Sequence, residues 1–175
     1  MGRLCLIAWI LTSGAVSGGA TTLEQLSLEE LIRQSTAVVR GTPQSTRVER
    51  DGSLIYTVYS FAITDHWKGE TGSNIEVSLP GGSVGGLTQN FGGVPHLETG
   101  HEYVVLLWTG PSGRTQIIGL TQGLFSMRGQ AGGVRLVQAS SPDVVLLPGS
   151  AGTQQLDLSL SQFVQSVRAI ATANQ

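Results

Sequence analysis

The amino-acid sequence predicts a mainly β domain, a small β-barrel with a helix at each end, with a β-sandwich as the alternative. Three observations predict it. Short apolar stretches, alternating or continuous, recur along the chain between glycine-rich turns, and 24 of the 175 residues are glycine. Helical spacing of apolar residues occurs near Ser27 and again over the last residues. The stretch 53–66 reads as one long, bent strand, which suits a barrel because such a strand is shared between both of its sheets.

The first twenty residues read as an export signal. Arg3 supplies the positive start, residues 4–11 an apolar core around Trp9, and Gly18 and Ala20 the small residues before a cut. The apolar stretch is well short of the roughly 20 residues that span a bilayer, so a removed leader is expected rather than an anchor. Cys5 follows Gly2-Arg3-Leu4, the wrong setting for lipid attachment, and it is the one cysteine of the chain. Residues 21–175 are therefore expected as a single cysteine-free domain, periplasmic or extracellular. Thiol catalysis, zinc–thiolate sites and iron–sulfur clusters drop out. The formal charge is −2, and the nearest approach to a basic cluster, Arg40, Arg47 and Arg50, is interrupted by Glu49 and Asp51. Nucleic acid is thus not an expected partner, and no membrane span is expected once the leader is gone.

The elements follow in order. Ser27 and Glu30 have capping-box spacing, and Leu28, Leu31 and Ile32 form one stripe of a first helix, with Thr22 an earlier start that would add Leu23 and Leu26. Residues 37–40 are a strand entered directly from that helix, with a bend or bulge at Gly41 and Pro43. Asp51-Gly52 is a tight-turn pair. After it Ile55, Thr57, Tyr59, Phe61 and Ile63 share one face and Leu54, Tyr56, Val58 and Ala62 the other, up to Trp67-Lys68-Gly69. Ile75, Val77 and Leu79 alternate in a further strand, stopped by Pro80-Gly81-Gly82. Residues 80–100, with seven glycines, read as a long functional or mobile loop. Residues 103–108 are a continuous apolar run, the pattern of a strand covered on both faces. Residues 116–120, 124–128 and 134–138 are short strands. Residues 139–157 read as a loose connector despite the apolar 144–147, and 158–173 as a closing amphipathic helix capped by Ser159 or Ser161, with Phe163, Val167 and Ile170 on one face.

Three segments carry a resemblance: Ala37-Val38-Val39-Arg40-Gly41, then Tyr56 through Trp67-Lys68-Gly69, then Gly100-His101-Glu102-Tyr103 with the apolar run after it. Over residues 36–108 the chain resembles uncharacterised exported bacterial proteins and the netrin-type, or metalloproteinase-inhibitor-like, barrel. The resemblance implies an OB-like barrel of the oligonucleotide/oligosaccharide-binding kind and, by fold analogy alone, an extracellular protease as partner. The inhibitors chelate the protease zinc through an amino-terminal disulfide-bonded cysteine, whereas the expected mature chain starts at Thr21, so that role does not carry over.

The chemistry-bearing patterns are weak. Gly81-Gly82-Ser83-Val84-Gly85 fits the nucleophile-elbow string, but residues 86–93 cannot form the helix that elbow needs, and His96 and His101 precede Asp143 in the wrong order. His96, Glu98 and His101 would need a third good ligand, from His66 or Glu102, to hold zinc. No phosphate-gripping Gly-Lys-Ser/Thr ending is present. Glu29 with Glu30, and Glu98 with Glu102, pair carboxylates without a setting that separates their acidities. Trp67 and Trp108 read as barrel-end core, and Phe91, between Asn90 and Gly92, as a ring either folded back on the barrel or offered for contact.

The expectation is an exported, non-catalytic binding domain without cofactor or metal, working on an extracytoplasmic protein through Phe91, Val94, Pro95 and His96 of the loop 80–100. A serine hydrolase using Ser83 and a structural envelope protein are the alternatives.

Overall fold

The computed structural model describes residues 21–131, 133–147 and 155–173; the expected leader, 1–20, lies outside them. The chain runs β1 (Thr21–Glu24), α1 (Leu28–Gln34), β2 (Ala37–Asp51), β3 (Leu54–Lys68), β4 (Asn74–Pro80), β5 (Gly82–Val84), β6 (Leu87–Gln89) and β7 (Tyr103–Thr109). It continues through β8 (Thr115–Ile117), β9 (Leu124–Gln130), β10 (Gly133–Gln138), β11 (Val144–Leu147), β12 (Asp157–Ser159) and α2 (Leu160–Ala173). The protein is mainly β with two helices among the described residues, as the sequence predicts. No helix among them is long and apolar enough to cross a membrane.

Both helices start where their caps stand. The Ser27 Oγ accepts from Glu30 N at 3.2 Å and Glu30 Oε2 accepts from Ser27 N at 2.7 Å, closing both halves of a capping box. Ser159 and Gln162 repeat the device at α2, with N···O distances of 3.2 and 3.0 Å. The earlier helix start at Thr22 is not realised. Residues 21–24 form β1, paired in parallel with β11, because a partner strand supplies backbone bonds that an extra helical turn would have to forgo. The same pairing corrects the connector: Val144–Leu147 is a strand, and β12 ends the stretch at its other side.

One large sheet has the order β12-β10-β9-β7-β2-β3-β4, with β8 paired to β7. Strand β2 bends through three register shifts against β3, at Val38/Val39, Arg40/Gly41 and Pro43/Ser45, which places the expected bulge at Gly41 and Pro43. A Cβ on Gly41 would sit 2.5 Å from the Ala62 carbonyl, so the two strands approach there only because the residue is glycine. The hairpin turn lies one residue beyond the expected pair: Asp51 still faces Leu54, and Gly52-Ser53 make the turn. The barrel is not closed. No ladder joins β8 to β4 among the described residues. Strand β8 pairs with β7 over three residues and lies near β4 without a ladder to it; ahead of it, Arg114 Nη1 donates to Ser78 Oγ of β4 at 3.2 Å.

The sheet buries both faces, so the core is double. Tyr103, Val105 and Leu107 of β7 point into one cluster with Val39, Tyr59, Phe61, Val77, Leu79 and Leu97. Val104 and Leu106 point into the other, with Phe125 and Leu136, beneath Leu31 and Ile32 of α1 and Phe163 and Val167 of α2. A strand shared by two cores must be apolar at every position, which is how residues 103–107 read. The run ends at Trp108, which is 44% exposed rather than core. Trp67 behaves as expected, its ring edge-on to Phe163 at 5.8 Å.

Candidate functional site

Residues 81–102 connect β4 to β7 across the first core, and they are pinned more firmly than a mobile loop. Gly81 N donates to Ile55 O at 2.7 Å, extending the β3–β4 pairing by one bond. The chain then folds into the β5–β6 hairpin around Gly85-Gly86, both with positive φ, of 57° and 78°, the geometry two-residue hairpins favour. Beyond the end of β4 the Gln89 amide stands in for a strand: its Oε1 accepts from Ile55 N at 2.8 Å and its Nε2 donates to Ser53 O at 2.7 Å. Farther along, Leu97 is 1% exposed and plugs the core. Tyr59 bonds to the Leu97 backbone, Glu98 N donates to the Tyr103 hydroxyl at 3.1 Å, and Gly100 N donates to Pro43 O at 2.9 Å.

Between those anchors the segment stands off the sheet and leaves a groove of about 200 Å³. Thr57, Tyr59 and Leu79 form part of its lining, with Phe91, Val94, Pro95 and His96 around them. All four residues singled out from the sequence thus line one groove. Phe91 lies against Gly81, its Cδ2 3.7 Å from where a Cβ there would be, yet the residue stays 42% exposed. It is both folded back and offered for contact. Val94, Pro95 and His96 also border a second groove of about 310 Å³, toward Thr121, Ser126 and residues 139–142. Burial pushes the Tyr59 phenol up from its ordinary value, the Leu97 backbone bond partly opposing.

A third cavity, about 320 Å³, is lined by Gln25, Gln122, Gln138 and Gln155 and adjoins the second along Thr121 and residues 139–141. The sequence reading missed it. Glutamines carry no periodic signal, and these come from four separate segments. Their amides serve the fold: Gln122 takes Leu26 N–H at 2.8 Å and donates to Glu24 O at 3.0 Å, while Gln138 donates to Gln122 O at 2.7 Å and takes Leu156 N–H at 3.2 Å. That network ties the end of β1, and Leu156 just ahead of β12, to β10 and the turn before β9.

The remaining chemistry-bearing residues are spent elsewhere. Ser83 is exposed on β5, its hydroxyl 2.8 Å from Thr88 Oγ1 across the hairpin, and a hairpin provides neither the elbow nor the oxyanion donors of a hydrolase. His101 Nδ1 lies 3.2 Å from Glu98 Oε2 on the open surface, while His96 belongs to the groove. Glu102 pairs with Arg40 at 2.8 Å, and Glu29 with Arg33. Among the described residues no group of three His, Cys, Asp or Glu side chains is gathered to hold a metal.

The segments that carried the resemblance are mostly scaffold, with Thr57 and Tyr59 also lining the groove and His101 on the surface. Val38 and Val39 are buried in the two cores. Lys68 Nζ donates to the carbonyls of Ile32, Arg33 and Ser35 at 2.6, 3.1 and 2.6 Å, capping the end of α1. Gly69 has φ 77°, and a Cβ there would meet Thr36 O at 2.3 Å. No protein-family model matches the chain, and no curated protein matches it.

Proposed function

We propose that the domain is an exported, non-catalytic binding module whose working surface is the groove bordered by Phe91, Val94, Pro95 and His96, and that its ligand is an extracytoplasmic protein. One observation carries the reading. Phe91, 42% exposed, and the apolar Val94 and Pro95 border one concave groove beside the polar His96, the mixture of apolar lining and a few polar groups that binding sites use. A protein is favoured over an oligosaccharide because the loop offers a single aromatic for stacking.

The OB-like barrel belongs to the same proposal. Its support is the strand order β8-β7-β2-β3-β4, with Arg114 ahead of β8 reaching β4. An extracellular protease as partner rests on the netrin-type resemblance alone.

The test uses the full chain, immobilised and exposed to the source organism's secreted fraction, against the same bait carrying Phe91→Ser and Pro95→Ala. One dominant protein retained by the first and lost by the second supports the groove. An empty lane from folded bait sinks the protein-partner reading. Recovery of a secreted form beginning at Thr21 would support export.

A further inference from the structure

The second unexpected surface is a strand edge. Strand β2 is paired on both sides only over its first part: β7 covers Ala37–Gly41, and Pro43 O takes the Gly100 N–H. From residue 44 to Asp51 its only ladder, among the described residues, is with β3, and seven of these eight residues are exposed.

The orientation of the free backbone groups follows from β3. Ile55 N and O, and Ile63 N, bond on the β4 side. Odd-numbered residues of β3 therefore face β4, and Leu54, Tyr56 and Val58 face β2. Their partners Asp51, Glu49 and Arg47 turn inward. Thr46, Val48 and Arg50 aim N–H and C=O at open solvent.

We propose that this edge pairs with the same edge of a second copy, antiparallel, about a two-fold axis at Val48. A closed two-fold on a sheet requires some residue to stand opposite itself. Centring on Val48 sets Arg47 against the second copy's Glu49, and the reverse. Within one copy Arg47 already pairs with Glu76 and Glu49, and Glu49 with Arg114, so the cross-pairs would extend an existing ion network. It sets Thr46 against Arg50 and Ser45 against Asp51. Centring on Arg47, Glu49 or Arg50 would put like charges face to face, which a sheet penalises. Centring on Thr46 avoids that but pairs a shorter stretch, bounded by the bulge at Pro43/Ser45. In the Val48 register the residues that meet with free backbone groups are Val48 with Val48 and Thr46 with Arg50, so both chains' open groups are used. Val48 is 36% exposed in one copy and would be covered in two. Charged side chains and the bulge at Pro43/Ser45 guard this edge against unspecific pairing, while the self-complementary order of its charges leaves one register open to a second copy.

The experiment is sedimentation of the full chain over a concentration series. The mass is expected to rise to that of two chains. Val48→Pro removes an N–H that faces away from β3, so the fold is retained, as checked by circular dichroism, and the dimer is lost. Val48→Lys places two ammonium groups on the axis and weakens association at least about tenfold; it decides the matter if the proline variant misfolds. A chain that stays monomeric to about 100 µM overturns the proposal, as does a dimer that withstands both substitutions.

Discussion

The corner where α1, the end of β3 and α2 meet differs from the segment 81–102 in what its conspicuous residues do. At the corner, Trp67, Lys68 and Gly69 are each consumed by the fold: a ring on Phe163, an ammonium on three helix carbonyls, a backbone where no side chain fits. In the segment, anchoring falls to Gln89, Leu97, Tyr59 and Tyr103, while Phe91 and Pro95 border a groove. A sequence pattern that catches the eye is therefore poor evidence of function when every member has an internal partner. A residue whose neighbours do the anchoring is better evidence.

Four substitutions test that contrast, taken from the largest expected effect down. Phe163→Ala, at 0% exposure between Trp67 and Phe125, is expected to cost about 3–5 kcal/mol in urea unfolding. Retained partner capture by whatever fraction still folds would keep corner and groove separate. Gly69→Ala forces a positive φ on a side chain that collides with Thr36. It should lower stability by about 2 kcal/mol, seen as a lower melting temperature; a neutral outcome would break the assignment of that glycine to the scaffold.

Tyr59→Phe tests the anchors of the segment and should cost about 1 kcal/mol. Its pH dependence follows from the raised phenol. The folded chain holds the Tyr59 proton to higher pH than the unfolded chain does, so this contribution is full below about pH 10 and declines as pH rises beyond it. The phenylalanine variant should lose that alkaline component of the urea midpoint, and an unchanged alkaline limb would place the cause elsewhere. Phe91→Ser should move stability by less than about 0.5 kcal/mol while abolishing capture of the partner. A large loss of stability would make Phe91 one more scaffold residue and erase the contrast.

Much of the scaffold is legible in the chain because local chemistry writes it there. The caps at Ser27 and Ser159, the alternation along β3, the both-sided apolar run of β7 and the bulge at Gly41 depend on residues a few positions apart, or on a period the pattern itself displays. The groove residues were legible for a related reason: an aromatic among glycines, with no local partner, is unusual wherever it folds. Other features required partners distant in sequence. Residues 21–24 have a helix-compatible pattern and became a strand because Val144–Leu147 lies beside them. Gln122 and Gln138 became structural only when folding brought carbonyls within reach.

By itself, then, the sequence determined a mainly β chain with a helix toward each end, and a glycine-rich segment carrying one aromatic ring whose exposure it left open. Tertiary structure alone decided that, among the described residues, the sheet stays unclosed at β4, that the segment 81–102 is anchored, and that β2 keeps an open edge from residue 44 to Asp51. The reason is physical. Caps, turns and periodicity act within one element, whereas a ladder depends on two strands distant in sequence being brought edge to edge, which no local pattern encodes.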